Sequence, residues 1–352
     1  MVPNPVKTLP FNCVQAFAVD RHEGLSFSFL KENGELLAIA NSSGLTMPED
    51  ALALYEELYE KIDKLCYLYP PFYRFFMAIA LDLEDLGMPG QKGATLLDYV
   101  VKQNFYEADT SDTRRMEIIN LLARRNRVPS FDMDSREALL TRVTGFLEQP
   151  EQFVKFNRPL FYDLTHLIFY ITDYGQQRIV HSDKIFQSLN HIGMLAYLDN
   201  DLDLLCEICI CYGFLGSAAP ALWQNVCASG LRNIEIKHID EEEARLAQPV
   251  DDYHIYLVNS WLMGLSGKEI FQEDFNHNGT VIFTHQKENK STLSKIFQVL
   301  HPIIMEDTPK RPMKAFEFLS VEDNIQLQTA LASSPNSENF FHKLTNGHIS
   351  IA

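Results

Sequence analysis

The chain has 352 residues, 46% of them hydrophobic, and a formal charge of −17. That is ample material for a large core, and its charge excludes partners that need a basic footprint, such as nucleic acid or an anionic membrane surface. No apolar run approaches the ~20 residues needed to span a bilayer, and Asn12 and Gln15 interrupt the stretch where a secretion signal stays apolar. The expectation is a cytoplasmic protein.

Residues 24–44 suit either a hairpin closed by Asn33-Gly34 or a helix carrying Phe29, Leu30, Leu36, Leu37 and Ile39, and helix is the reading taken. Thr46-Met-Pro-Glu-Asp reads as a cap, a first-turn proline and first-turn acids ahead of a helix over 51–68, which Pro70-Pro71 ends. Helical patterns follow at 72–86, 93–104, 112–126, 134–147, 159–173, 182–198, 200–215, 218–230 and 251–266, separated by Pro and Gly breakers such as Pro129, Pro150, Gly175 and Gly230. Beyond 268 come a polar turn, a short strand at Val281-Ile-Phe-Thr, a helix over 290–304, a loop at 308–312 and a partly mobile end from Ser333 to Ala352. The sum is an all-α fold, a stack or toroid of helical hairpins. An N-terminal segment (1–45) packs on a helical-hairpin domain (46–267), and a small irregular C-terminal extension (268–352) follows. No sheet is expected within 46–267.

The most informative stretch is Tyr162 to Gly175. At ~100° per residue, Asp163, His166, Tyr170 and Asp173 fall within an arc of roughly 80°, beside an apolar side made of Leu164, Leu167, Ile168 and Ile171. A wet helix face mixes Lys, Arg and Glu, but this one has no Lys or Arg between Arg158 and Arg178. Two further positions repeat the theme: Glu207 stands among Leu204, Leu205, Cys206 and Ile208 one turn after Asp203, and His254 shares a face with Val258 and Trp261. Imidazoles and carboxylates on separate helices are what a bundle needs to hold a metal or run acid/base chemistry. The plainer alternative is that each buried histidine is satisfied by one carboxylate.

Other motifs carry less. Asp274-x-Asn276-x-Asn278-Gly279 matches the first half of a calcium loop, but His285 stands where the bidentate Glu belongs, so a plain turn at Asn278-Gly279 is the better reading. Cys206-x-x-Cys209 has no second pair at zinc spacing, and its cysteines are read as small hydrophobes. Phe72-Tyr-Arg-Phe-Phe reads as core with Arg74 outward. Arg114-Arg115 and Arg124-Arg125-Asn-Arg127 are read as solvated helix ends rather than as an anion clamp.

The run Thr165-His166, Phe169-Tyr170, Thr172-Asp173 and Gly175, followed by Asp203-Leu-Leu-Cys-Glu207 and Tyr253-His254, resembles a poorly characterised bacterial family of helical proteins. That family carries a Thr-His-x-x-Phe-Tyr-x-Thr-Asp-Phe-Gly segment, a later Asp-Leu-Leu-x-Glu and a Tyr-His pair, often beside biosynthetic genes for specialised metabolites. Tyr174 replaces the family's usual Phe. The resemblance implies a helical fold and a shared polar centre, and it brings no reaction with it.

The functional expectation is an enzyme of bacterial specialised metabolism acting on a small molecule or peptide. A divalent transition metal would be held by His166, Asp173, Glu207 and His254, with Asp163, Tyr170 and Asp203 in supporting or proton-transfer roles. Without metal, His166 polarised by Asp173 would serve as base and Tyr170 as proton donor. The competing expectation is a non-catalytic helical scaffold or carrier binding a peptide or partner protein.

Overall fold

The computed structural model describes residues 7–22, 24–107, 109–127, 133–240, 251–268, 270–271, 275, 279–285, 291–300, 316–333 and 337–346. In chain order the helices are α1 (Phe11–Gln15), α2 (Phe27–Ser42), α3 (Glu49–Ala53), α4 (Glu56–Leu68), α5 (Tyr73–Asp85), α6 (Lys92–Gln103), α7 (Asp112–Ala123) and α8 (Met133–Leu147). They continue with α9 (Arg158–Ile171), α10 (Asp183–Leu198), α11 (Leu202–Phe214), α12 (Ala221–Arg232), α13 (Tyr253–Leu265), α14 (Thr292–Leu300), α15 (Val321–Ser333) and α16 (Ser337–Asn346). The strands are β1 (Ile234–Ile239) and β2 (Thr280–His285). The fold is all-α, as the capped, amphipathic segments predict. The chain divides into two compact units: residues 1–139, 173–177 and 233–285 form the first, and residues 140–172, 178–232 and 286–352 the second.

In the first unit α5 packs against α2, α4, α6 and α7, and its Met77, Ile79, Ala80, Leu81 and Leu83 are fully buried. α2 starts where Ser26 accepts a hydrogen bond from the Phe29 amide at 3.0 Å. It runs unbroken through Asn33-Gly34, because Asn33 is consumed by the core rather than by a turn. Its side-chain amide donates to the carbonyls of Phe17 (3.0 Å) and Phe29 (2.9 Å) and its oxygen accepts from the Tyr55 hydroxyl at 2.7 Å. The helix expected over 51–68 is interrupted at Leu54-Tyr55, giving α3 and α4. Thr46 pairs with Thr8 in an isolated bridge, and Pro48 takes the cap position instead.

The first unit also holds β1 and β2, an antiparallel pair with Ile236 opposite Phe283. β2 was expected. β1 corrects the expectation that no sheet falls within 46–267: after the breaker at Gly230, Ile234, Ile236 and His238 alternate with Glu235 and Lys237, a period-two signal too short to stand out beside helices. Arg21 fastens this part of the unit. Its Nε donates to Glu32 at 2.7 Å, its guanidinium pairs with Asp251 and donates to the Val281 carbonyl at 2.9 Å, and it lies 5.1–5.3 Å from the rings of Phe17, Tyr253 and Phe283. Asp251 in turn accepts the Phe283 amide at 3.0 Å, which pins β2.

In the second unit α11 is the innermost helix, buried from Leu204 to Tyr212 and packed against α9, α10 and α12. Asp199-Asn200-Asp201 closes the α10–α11 hairpin, with Asn200 at φ +55°. Asp201 caps α11 by accepting the Leu204 amide at 3.4 Å and is itself gripped by Arg158. Gly193 lets α10 approach Trp223 of α12, where any Cβ would meet the indole ring. α16 occupies part of the end expected to be mobile, because Phe340 and Phe341 are buried there. The loop at 308–312 and the half-loop residues Asp274, Asn276 and Asn278 lie outside the described residues; Gly279 is described and has φ +111°.

Candidate functional site

α9 begins at Asn157, whose side chain accepts the Leu160 amide at 3.4 Å, with Pro159 in the first turn. It buries Phe161, Leu164, Leu167, Ile168 and Phe169, and leaves Tyr162, Asp163, His166 and Tyr170 partly exposed on the other side. The stripe read from the sequence is therefore present as far as Tyr170, and its rings follow one another, with His166 lying 6.1 Å from Tyr162 and 6.3 Å from Tyr170 between centroids.

Asp173 is a correction. The helix stops at Ile171, the Thr172 hydroxyl donates back to the Ile168 carbonyl at 2.7 Å, and Asp173, Tyr174 and Gly175 take left-handed φ values of +47°, +51° and +85°. Asp173 is therefore off the helical stripe. It belongs to the first unit, where it accepts a bond from Asn120 at 3.3 Å; burial raises its carboxyl above the ordinary range, offset in part by the Arg124 charge.

Within the second unit, α9 and α11 meet through two hydroxyl–carboxylate bonds. The Tyr162 hydroxyl donates to Asp203 Oδ2 at 2.8 Å, and the Thr165 hydroxyl donates to Glu207 Oε2 at 2.5 Å. The other oxygen of Glu207, Oε1, lies 3.8 Å from His166 Nε2, with the glutamate side chain 2% exposed and the histidine 40%. Burial, followed by the nearby Asp203, Asp201 and Glu207 charges, raises the Tyr162 phenol far above its usual value, so it stays a proton donor. Two carboxylates one turn apart with an imidazole beside one of them can hold a divalent cation or relay a proton. The second unit thus brings together Tyr162, Thr165, His166, Asp203 and Glu207.

His254 stands in the first unit on α13, with Nε2 3.7 Å from Glu35 Oε1. Asp163 and Tyr170 belong to α9 in the second unit. The roles of Tyr162 and Thr165 escaped the sequence reading because an aromatic and a β-branched residue at helical spacing read as packing. Their i, i+3 offset, matched to the i, i+4 offset of Asp203 and Glu207, was the available signal.

The arginines expected as solvated ends are engaged. Arg124 reaches Asp82 (2.8 Å) and Asp85 (2.7 Å), Arg125 reaches Asp85 (2.7 Å), and Arg127 reaches Asp98 (2.6 Å). All six cysteines are free and buried, and burial pushes the Cys13 thiol up to about 12. No helix among the described residues is long and apolar enough to cross a membrane.

The model of a family described as a domain of unknown function, DUF6902, matches residues 6–346, and the chain belongs to that family. No curated protein and no solved structure matches the chain.

Proposed function

We propose that this member of an uncharacterised family is an enzyme of bacterial specialised metabolism, acting on a small molecule or peptide at the carboxylate–imidazole centre of its second unit. The observation that carries the reading is Glu207: a carboxylate in the most apolar helix of the unit, held by a buried hydroxyl on one oxygen and faced by His166 at 3.8 Å on the other. Carboxylates are rarely buried this fully, which makes Glu207 the position in the unit that most calls for a role. A divalent transition metal suits Glu207, Asp203 and His166, with open positions for water or substrate. In the metal-free version His166, oriented by Glu207, is the base and Tyr170 the proton donor. Asp173 and His254 remain part of the proposal on sequence grounds. The specialised-metabolite setting rests on the resemblance of the Thr165–Gly175 segment. A cytoplasmic location is consistent with six buried cysteines that form no disulfide among the described residues.

The test is metal content by elemental analysis of the full chain purified without chelator and then dialysed against Mn2+ or Zn2+. The expected result is about one metal per chain, lost in Glu207→Gln and His166→Asn while the Tm of the metal-free protein is nearly unchanged. Asp173→Asn and His254→Asn in the same assay decide whether those two residues belong. A wild type that takes up no metal, with both variants destabilised as severely as Phe169→Ala, sinks the metal centre. The hydroxyl–carboxylate bonds would then be the structural network of a helical scaffold or carrier, the reading those bonds otherwise favour.

A further inference from the structure

The aromatic run that reads as core in the sequence is only partly covered in the first unit. Around the turn between α4 and α5, Leu25, Phe27, Tyr67, Leu68 and Tyr69 are between 44% and 71% exposed. Ring contacts join them into one face. Phe27 lies 5.5 Å from Phe72 and from Phe75 between centroids, both of them partly exposed, and Tyr67 lies 4.5 Å from Tyr99. The Phe72 amide donates to the Tyr69 carbonyl at 3.0 Å, which links the two rows of rings.

The chemistry of this face narrows what can cover it. Pro70 and Pro71 carry no amide hydrogen, so the turn offers no run of donors to hold an extended peptide or an added strand. The net charge of −17 opposes an anionic membrane. At the rim, Glu60 on α4 and Lys64 one turn on are exposed and make no ion pair among the described residues, and Lys102 stands exposed one turn after Tyr99. Both signs flank the rings, so the face does not share the chain's excess of acid.

We infer that this face docks a second copy of the chain, giving a two-fold symmetric dimer. An uncharged apolar face is complementary to itself, which a two-fold interface requires. Its area fits as well. The five exposed side chains offer roughly 500 Å2 per copy, taking ~200 Å2 for a whole aromatic side chain. A standard interface of ~800 Å2 per partner with the ~65% apolar share of homodimers calls for about as much. Association at this face works against the charge on each copy, which gives its salt dependence a definite sign: NaCl screens the repulsion, leaves the apolar contact in place and tightens the dimer.

The experiment is sedimentation equilibrium of the full chain at up to about 0.1 mM, in NaCl of about 0.05 M and about 0.5 M. Chelator is present throughout, so the outcome is independent of the metal-centre reading. The expected result is a monomer–dimer equilibrium with a Kd on the order of micromolar, tighter at the higher salt. Leu68→Lys and Leu25→Lys are expected to weaken it about tenfold or more by placing a charge in the contact, with the Tm nearly unchanged because both positions face solvent. Each substitution also makes the chain less negative, which alone would tighten association, so weakening reports the face itself. Either variant carries the test should the other fail to fold. A chain that stays monomeric in both salts overturns the inference and leaves the face to a partner of different sequence. A dimer that loosens as salt rises, or that both variants leave within about threefold of wild type, uses another surface and overturns it too.

Discussion

Asp173 combines two conditions that asparagine meets better than aspartate. Its φ of +47° is left-handed, a region that Asn enters at least as readily as Asp. Its carboxyl is raised by burial, with Arg124 offsetting only part of the effect. An acid whose folded pKa exceeds the ~3.9 of the unfolded chain weighs against folding at neutral pH, and the penalty fades as pH falls through the folded value. Asp173→Asn is therefore expected to hold or raise the Tm at pH 7, with any gain shrinking towards pH 4; a Tm several degrees lower at pH 7 refutes the account. Arg21 is the opposite case. Its side chain and that of Glu32 are 2% and 4% exposed, and Asp251 depends on the same guanidinium. Arg21→Met leaves Glu32 with His22 alone, 2.9 Å away, and strands the contact to Asp251. A loss of roughly 3–5 kcal/mol in urea unfolding is expected, as for breaking a buried pair, and a loss below about 1 kcal/mol would mean that the cluster tolerates hydrophobic replacement.

At the scale of elements, α16 is held by a titratable contact. Phe340 stacks on His191 at 4.8 Å between centroids, and Lys343 pairs with Glu151 at 2.6 Å. Burial lowers the His191 pKa, the neighbouring Lys343 lowers it further, and the Pro150 carbonyl and Glu151 pull it back. Because the folded value lies below the unfolded ~6.5, the unfolded chain binds the proton first, so stability is lost as pH falls from about 6.5 through the folded value and then levels off. His191→Gln should flatten the fall in Tm between pH 7 and 5 and delay the acid-driven rise in hydrogen exchange of α16 amides. Equal pH slopes in the two proteins would remove His191 as the cause. What the sequence made legible at this scale was local: breakers such as Gly175 and apolar periodicity, whereas Thr46, read as a cap, leaves that position to Pro48. Asn33-Gly34 kept a hairpin open beside the helix that was taken, because the partners of Asn33, Phe17 and Tyr55, are distant in sequence, and β1 was missed because its partner lies beyond α13. Likewise the stripe on α9 was legible to Tyr170, while the left-handed exit at Asp173 depends on first-unit contacts that periodicity does not encode.

For the whole molecule the net charge sets an expectation opposite in sign to that of its ion pairs. Acids outnumber Lys and Arg by 47 to 30, so the folded chain repels itself. Exposed pairs such as Lys61–Glu57 contribute little and are weakened by salt. Arg124 and Arg125, in the turn after α7, are partly buried with their partners, and such pairs are screened less than exposed ones. Raising NaCl shortens the screening length from about 30 Å at 0.01 M to about 8 Å at 0.15 M, which removes long-range repulsion among the excess acids while leaving 3 Å contacts largely intact. Salt therefore relieves more repulsion than it weakens attraction, and the Tm is expected to rise by a few degrees over that range, at fixed pH and in the absence of divalent ions. Sodium sulfate and sodium chloride at equal ionic strength separate this screening from the exclusion effect of sulfate, since screening alone gives the same rise with both. A Tm that falls with NaCl would show that the local pairs, Arg124–Asp82 and Arg125–Asp85 foremost, contribute more than the global excess of acid costs.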